Sequence, residues 1–133
     1  MATRTIDTNV LVRLLVDDHS VQAQRAGRLL EAFQLVVLPT VMLETEWVLR
    51  SRYGVERLRI SALLRSVIEF EGFVVIDRVR VVKALEAFES GMDFADALHV
   101  CFTGNDEVFV TFDRDLVRLA TKYIHHAGAE LAS

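Results

Sequence analysis

Carboxylates recur in this chain beside short apolar runs, where a folded protein can gather side chains for chemistry. Asp7 follows the run Thr3 to Ile6 and Asp113 follows the run Val108 to Thr111. Glu44 and Glu46 interrupt the mostly apolar segment Pro39 to Leu49, and Asp93 and Asp96, three residues apart, precede the second of those runs. Carboxylates brought to one place repel each other unless a cation joins them. With one cysteine and no His set at ligand spacing, an oxygen-only group of this kind suits Mg²⁺ or Mn²⁺. Each acid also has a structural role open to it. Asp is a strong helix N-cap, and an Asp at the cap with a second acid three residues on satisfies free backbone amides and complements the helix dipole.

Between Glu44 and Glu46 the helical period leaves both open. Glu44 shares a face with Val41, Trp47 and Val48, and Glu46 shares one with Met42, Leu43, Leu49 and Arg50. A cap at Thr40 would put Glu44 in the first turn and Glu46 about 3 Å farther along the axis, which favours Glu44.

These acids need elements to position them. The apolar runs Thr3 to Ile6, Leu35 to Leu38, Phe73 to Ile76 and Val108 to Thr111 read as buried strands. Helical patterns lie between them: Asn9 to Val16, Val21 to Phe33, Val41 to Arg52, Glu56 to Phe70, Val79 to Glu89, Phe94 to Phe102 and Leu116 to Lys122. Gly54, Gly72, Gly91 and Gly104 each follow a helical segment, where a left-handed stop is expected. Alternating helices and short apolar strands imply a parallel sheet covered on both faces, a three-layer α/β protein. In such sheets ligands bind beyond the carboxyl ends of the strands, where Asp7 and Asp113 fall.

The 133 residues lack repeats, low-complexity tracts and linkers, and residues 1–133 read as a single domain. One cysteine, Cys101, excludes a disulfide framework, and no apolar stretch approaches the ~20 residues of a membrane span, so a cytoplasmic protein is expected. The phosphate loops G-x-G-x-x-G and G-x-x-x-x-G-K-[ST] are absent, excluding a dinucleotide-binding or P-loop enzyme. The net charge of −4 argues against a simple basic surface for nucleic acid, yet 13 of the 15 cations are Arg, the better fork for phosphate. Hydrophobic residues make up 52% and mean hydropathy is +0.30, high enough to expect a homodimer that hides surplus apolar surface.

Asp7-Thr8-Asn9, the segment Glu44 to Ser51, Asp93-Phe94-Ala95-Asp96-Ala97-Leu98 and Thr111-Phe112-Asp113 resemble, in order and spacing, the PIN-domain family, most of all its VapC-type ribonuclease toxins. The resemblance runs from the first strand to about Leu119. It implies a PIN-like α/β/α fold with a central parallel sheet of four or five strands, and a metal-dependent endoribonuclease using Mg²⁺ or Mn²⁺. It also implies a homodimer held inactive by a small antitoxin. Carried over position by position, the catalytic and metal-holding acids are Asp7, Glu44, Asp96 and Asp113. Asn9 and Thr111 match supporting polar positions, with Asp93 and Asp115 as substitutes for Asp96 and Asp113. The segment Tyr123 to Gly128 departs from the family's short apolar final strand.

With those four acids set aside, fifteen acids face fifteen bases, so Arg50, Arg52, Arg57 and Arg59 can form local positive ground for RNA phosphates. A solvated face is the alternative. His99, one turn after Asp96, reads as a packing or surface residue, and Cys101, Trp47 and the eight Phe as core. His125-His126 reads as a terminal segment outside any metal site. A phospho-receiver module also gathers acids at strand ends and would use Asp77, but it needs a Lys at a strand end. Neither Lys83 nor Lys122 has that place.

Overall fold

A computed structural model of the protein describes residues 1–124 and 128–133. Its described residues form two compact units, 1–77 and 78–133, each described by itself below.

In the first unit the order is β1 (Thr3–Thr5), α1 (Thr8–Val16), α2 (Val21–Ala32), β2 (Gln34–Val37), α3 (Pro39–Ser51), α4 (Arg57–Glu69) and β3 (Phe73–Val75). The strands form one parallel ladder in the order β1-β2-β3, with Arg4 opposite Leu35 and Val36 opposite Val74. A parallel pair needs a long crossover, and each of these crossovers carries two helices. β2 lies in the middle of the ladder, and its Leu35 and Val37 are fully buried. Leu11 of α1, Met42 and Leu49 of α3, and Leu64 of α4 are likewise withdrawn from water.

Local chemistry sets the helix ends. Asp7 and Ser20 cap α1 and α2, accepting from the backbone N–H of Val10 at 3.0 Å and Ala23 at 3.1 Å. Pro39 begins α3, where its missing N–H costs nothing. Past the end of α3, Gly54 adopts φ +61°, and the Val55 N–H reaches back to the Leu49 carbonyl at 3.0 Å. That closure requires a left-handed residue, so the glycine stop expected there is observed.

The second unit contains α5 (Arg78–Glu89), α6 (Phe94–Cys101), β4 (Val108–Thr111), α7 (Arg114–Tyr123) and β5 (Gly128–Leu131). β4 and β5 pair in parallel, with Val108 opposite Gly128 and Thr111 opposite Leu131. Phe88 of α5 and Phe94 of α6 meet edge to face with ring centroids 5.6 Å apart. Gly91, at φ +117°, turns the chain between these helices.

All strand pairs are parallel and the class is α/β, as the alternating patterns require. A fifth strand does form among the described residues, at Gly128–Leu131, starting on the last residue of the atypical segment 123–128. His125 and His126 lie outside the described residues. The five strands are bonded as ladders of three and two. An apolar run marks a strand but says nothing about which strand lies beside it. Trp47 differs from its reading as core: it is 50% exposed, and Phe112 is 88% exposed. No described helix is long and apolar enough to cross a membrane.

Two glycines test the backbone argument. Gly54→Ala should lower the free energy of unfolding by about 1–2 kcal/mol, the cost of a Cβ in the left-handed region. Gly27, inside α2 with open space around its absent Cβ, should do the reverse. Gly27→Ala should gain about 0.5–1 kcal/mol from reduced backbone entropy. Urea denaturation of the two variants measures both.

Candidate active site

Three of the candidate acids, Asp7, Asp96 and Asp113, lie at helix starts. Asp7 lies two residues past the end of β1, with extended backbone, and its Oδ1 accepts from Val10. Asp113 stands in the same relation to β4: its Oδ1 accepts from the backbone N–H of Asp115 at 2.9 Å and of Leu116 at 3.1 Å. The Asp113 N–H in turn donates to Thr111 Oγ1 at 3.1 Å, so Thr111 orients the acid from behind. Capping engages one carboxylate oxygen in each case. The structural role and a ligand role are therefore compatible for Asp7 and Asp113.

Asp93 caps α6, its Oδ2 accepting from the Asp96 N–H at 3.1 Å. Asp96 sits in the first turn of that helix. Burial raises the pKa of its carboxyl above the ordinary value, and the neighbouring Asp93 and Asp113 carboxylates raise it further, while His99 opposes them. Asp96 is thus an acid whose ionised form is destabilised by its surroundings. Asp115, by contrast, is exposed and pairs with Arg118 at 3.5 Å, a surface arrangement of little energetic weight.

On α3 the two glutamates separate cleanly. Glu46 is 2% exposed and its Oε2 accepts from Arg50 Nε at 2.8 Å, one turn away. Its charge is already matched. Glu44 is exposed on the opposite face and makes no hydrogen bond or ion pair among the described residues. The cap expected at Thr40 does not form, however. Pro39 is the first helical residue and Leu38 occupies the cap, so Thr40 does not cap the helix and Glu44 belongs to its second turn. Proline preset the helix start two residues earlier than the hydroxyl suggested.

Asn9 is exposed near the start of α1. It lines a groove of about 350 Å³ between α1 and α2, together with Val10, Arg13, Gln22, Arg25 and Ala26. His99 stacks on Phe109 with ring centroids 6.2 Å apart and planes 6° from parallel, a packing role as expected. The Cys101 thiol is half-buried and pushed up to about 11, mainly by burial, and is no nucleophile at neutral pH. Asp77 follows β3 with φ +55°, but Lys83 and Lys122 lie within α5 and α7, so no lysine stands at a strand end for a receiver-type site. Trp47, which reads as core in the sequence, lies on the same exposed side of α3 as Glu44. Its spacing from Glu44 was available as a signal, but aromatic bulk argued for core.

The donors fit a hard divalent cation in kind: oxygen only, partly solvated, and in the case of Asp96 destabilised by unscreened carboxylate neighbours. Among the described residues, no three His, Cys, Asp or Glu side chains stand close enough together to hold a metal ion. Asp7 and Glu44 belong to residues 1–77, and Asp96 and Asp113 to residues 78–133.

The family model described as PIN domain matches residues 5–122. No curated protein matches the chain.

The raised pKa of Asp96 has a consequence for stability. Ionising it costs folding free energy above its folded pKa, and the cost disappears as pH falls through that pKa toward the ordinary value of 3.8. Asp96→Asn should therefore melt higher than the wild type at pH 7 in the presence of chelator, with the advantage shrinking toward pH 4. Equal melting temperatures of the two proteins at pH 7 would contradict this electrostatic account.

Proposed function

This chain belongs to the PIN-domain family, a nuclease-type fold, and from that premise we propose that it is a metal-dependent endoribonuclease. The observation that carries the reading is Asp96, a partly buried carboxyl whose ionised form is opposed by Asp93 and Asp113. The cost of ionising Asp96 beside these neighbours is one that a nearby cation would offset. Asp7, Glu44, Asp96 and Asp113 are the acids that would hold Mg²⁺ or Mn²⁺. When bound, such an ion offsets phosphate charge and lowers the pKa of a coordinated water.

The chain's own residues prepare those acids. The free amides at the start of α1 and α7 fix Oδ1 of Asp7 and Asp113, so each carboxylate is oriented before any ligand arrives. Thr111 restrains Asp113 through its backbone N–H, and Asp93 holds the first turn on which Asp96 is mounted. Asn9, two residues beyond Asp7, supplies an amide to orient a carboxylate or a water. The bond from Arg50 already matches the buried charge of Glu46, which supports Glu44 as the acid that α3 contributes.

In the cell, the protein is the cytoplasmic toxin of a toxin–antitoxin pair, restrained by a small antitoxin protein and active as a homodimer. Exposed apolar side chains such as Val79, at 68%, support an association that removes them from water.

Purified protein incubated with a cellular RNA pool should cut it in Mg²⁺ or Mn²⁺ and stop on chelation. Asn is as good a helix cap as Asp, so Asp7→Asn and Asp113→Asn should fold normally. These variants, with Glu44→Gln and Asp96→Asn, should each lose more than about 10²-fold in cleavage, since even outer partners of a metal site are worth about 10–100-fold. Glu46→Gln should be much milder. Cleavage that survives chelation would refute the metal mechanism, and activity lost in Glu46→Gln but kept in Glu44→Gln would reverse the assignment on α3.

A further inference from the structure

Trp47 is the only tryptophan in the chain. A single exposed aromatic residue is ordinary on a protein surface and by itself means nothing. Its neighbours give this one meaning. Along α3, Val41, Met42, Thr45, Glu46 and Leu49 are buried, while Thr40, Glu44, Trp47 and Ser51 are exposed. Steps of four, three and four residues put those exposed positions on one stripe of the helix. Trp47 therefore stands one turn from Glu44, about 4.5 Å along the axis.

The stripe leads into a basic corner. Arg50, one turn past Trp47, is anchored from beneath by buried Glu46 at 2.8 Å. Arg52 caps the end of α3, exposed Tyr53 follows, and α4 opens with Arg57, Leu58 and Arg59. From residue 50 to residue 59 there are four Arg and one acid, Glu56, in a protein whose net charge is −4. The sign of the charge is locally reversed beside an exposed aromatic ring and a free carboxylate.

We propose that this face of α3 binds single-stranded RNA, with Trp47 stacking on a base beside the bond to be cut and Arg52 and Arg59 attracting the flanking phosphates. The proposal rests on the endoribonuclease reading of Glu44. Stacking on an indole accepts any base, and a guanidinium fork suits phosphate, so the pairing matches a flexible polyanion. A second copy of the chain is the poorer occupant. A two-fold interface centred on this face would bring the same arginines toward each other, and like charges in an interface are costly. RNA supplies the opposite charge.

The sole tryptophan makes the test direct. Full-length protein kept in chelator, so that it does not cut, is titrated with a short single-stranded RNA oligonucleotide while Trp47 fluorescence is followed. Fluorescence should be quenched to saturation, with the same midpoint as anisotropy of a labelled oligonucleotide. Trp47→Ala should bind about 5- to 150-fold more weakly and Trp47→Phe should recover most of the loss. Arg52→Ser and Arg59→Ser should each flatten the salt dependence of binding. With Mg²⁺ restored, Trp47→Ala should raise KM more than it lowers kcat.

Unquenched fluorescence at saturating RNA overturns the proposal, as does Trp47→Ala binding RNA like the wild type. Fluorescence that changes with protein concentration and not with RNA also overturns it, and assigns the face to a second copy. Quenching without cleavage in Mg²⁺ would instead remove the endoribonuclease reading and leave the RNA-binding face standing.

Discussion

The backbone amides at the start of a helix have no partner within the helix, and in this protein aspartates supply several of them. Asp7, Asp93 and Asp113 accept from the first turns of α1, α6 and α7. The placement of Asp7 and Asp113 depends on that constraint. A carboxylate tied to the first turn after a strand is fixed in place and orientation by the backbone itself. The same bonds that end the loops therefore preorganise the acids, and only one oxygen of each is used in doing so. Thr111, through the Asp113 N–H, extends the restraint by one more residue.

The electrostatics of residues 78–133 show the other side of this economy. Asp96 lies among Asp93 and Asp113 with partial burial, and its anionic form is disfavoured for both reasons. Asp93 and Asp113 stabilise their helices as caps, and the cost of placing them beside Asp96 falls on Asp96. His99 compensates weakly, and its own ring is held against Phe109.

Helix α3 divides its work between two faces. The buried side carries Met42, Thr45, Glu46 and Leu49, and there Glu46 is tolerable because Arg50 reaches back to it. A buried carboxylate depends on its partner, and removing Arg50 would leave a costly unpaired ion. The exposed side carries Glu44 and Trp47 toward the arginine-rich turn before α4. Two acids of the same type, two residues apart, thus lie on opposite faces because a two-residue step turns a helix by more than half a circle.

What the sequence by itself determined is the part governed by local chemistry. Helix periods, the apolar runs of β2 and β4, the left-handed stops at Gly54 and Gly91, and the capping acids are all set by residues within a turn of one another. The parallel class followed from their alternation, and the candidate acids from their positions beside the strands. Tertiary structure alone decided which strands share a ladder, because a strand's neighbour is chosen by distant chain. It also decided that Glu46 is buried and Glu44 exposed, and that Trp47 faces water. Helical spacing names the members of each face, but which face is covered depends on the elements packed against it, and that information is spread over residues far apart in the chain.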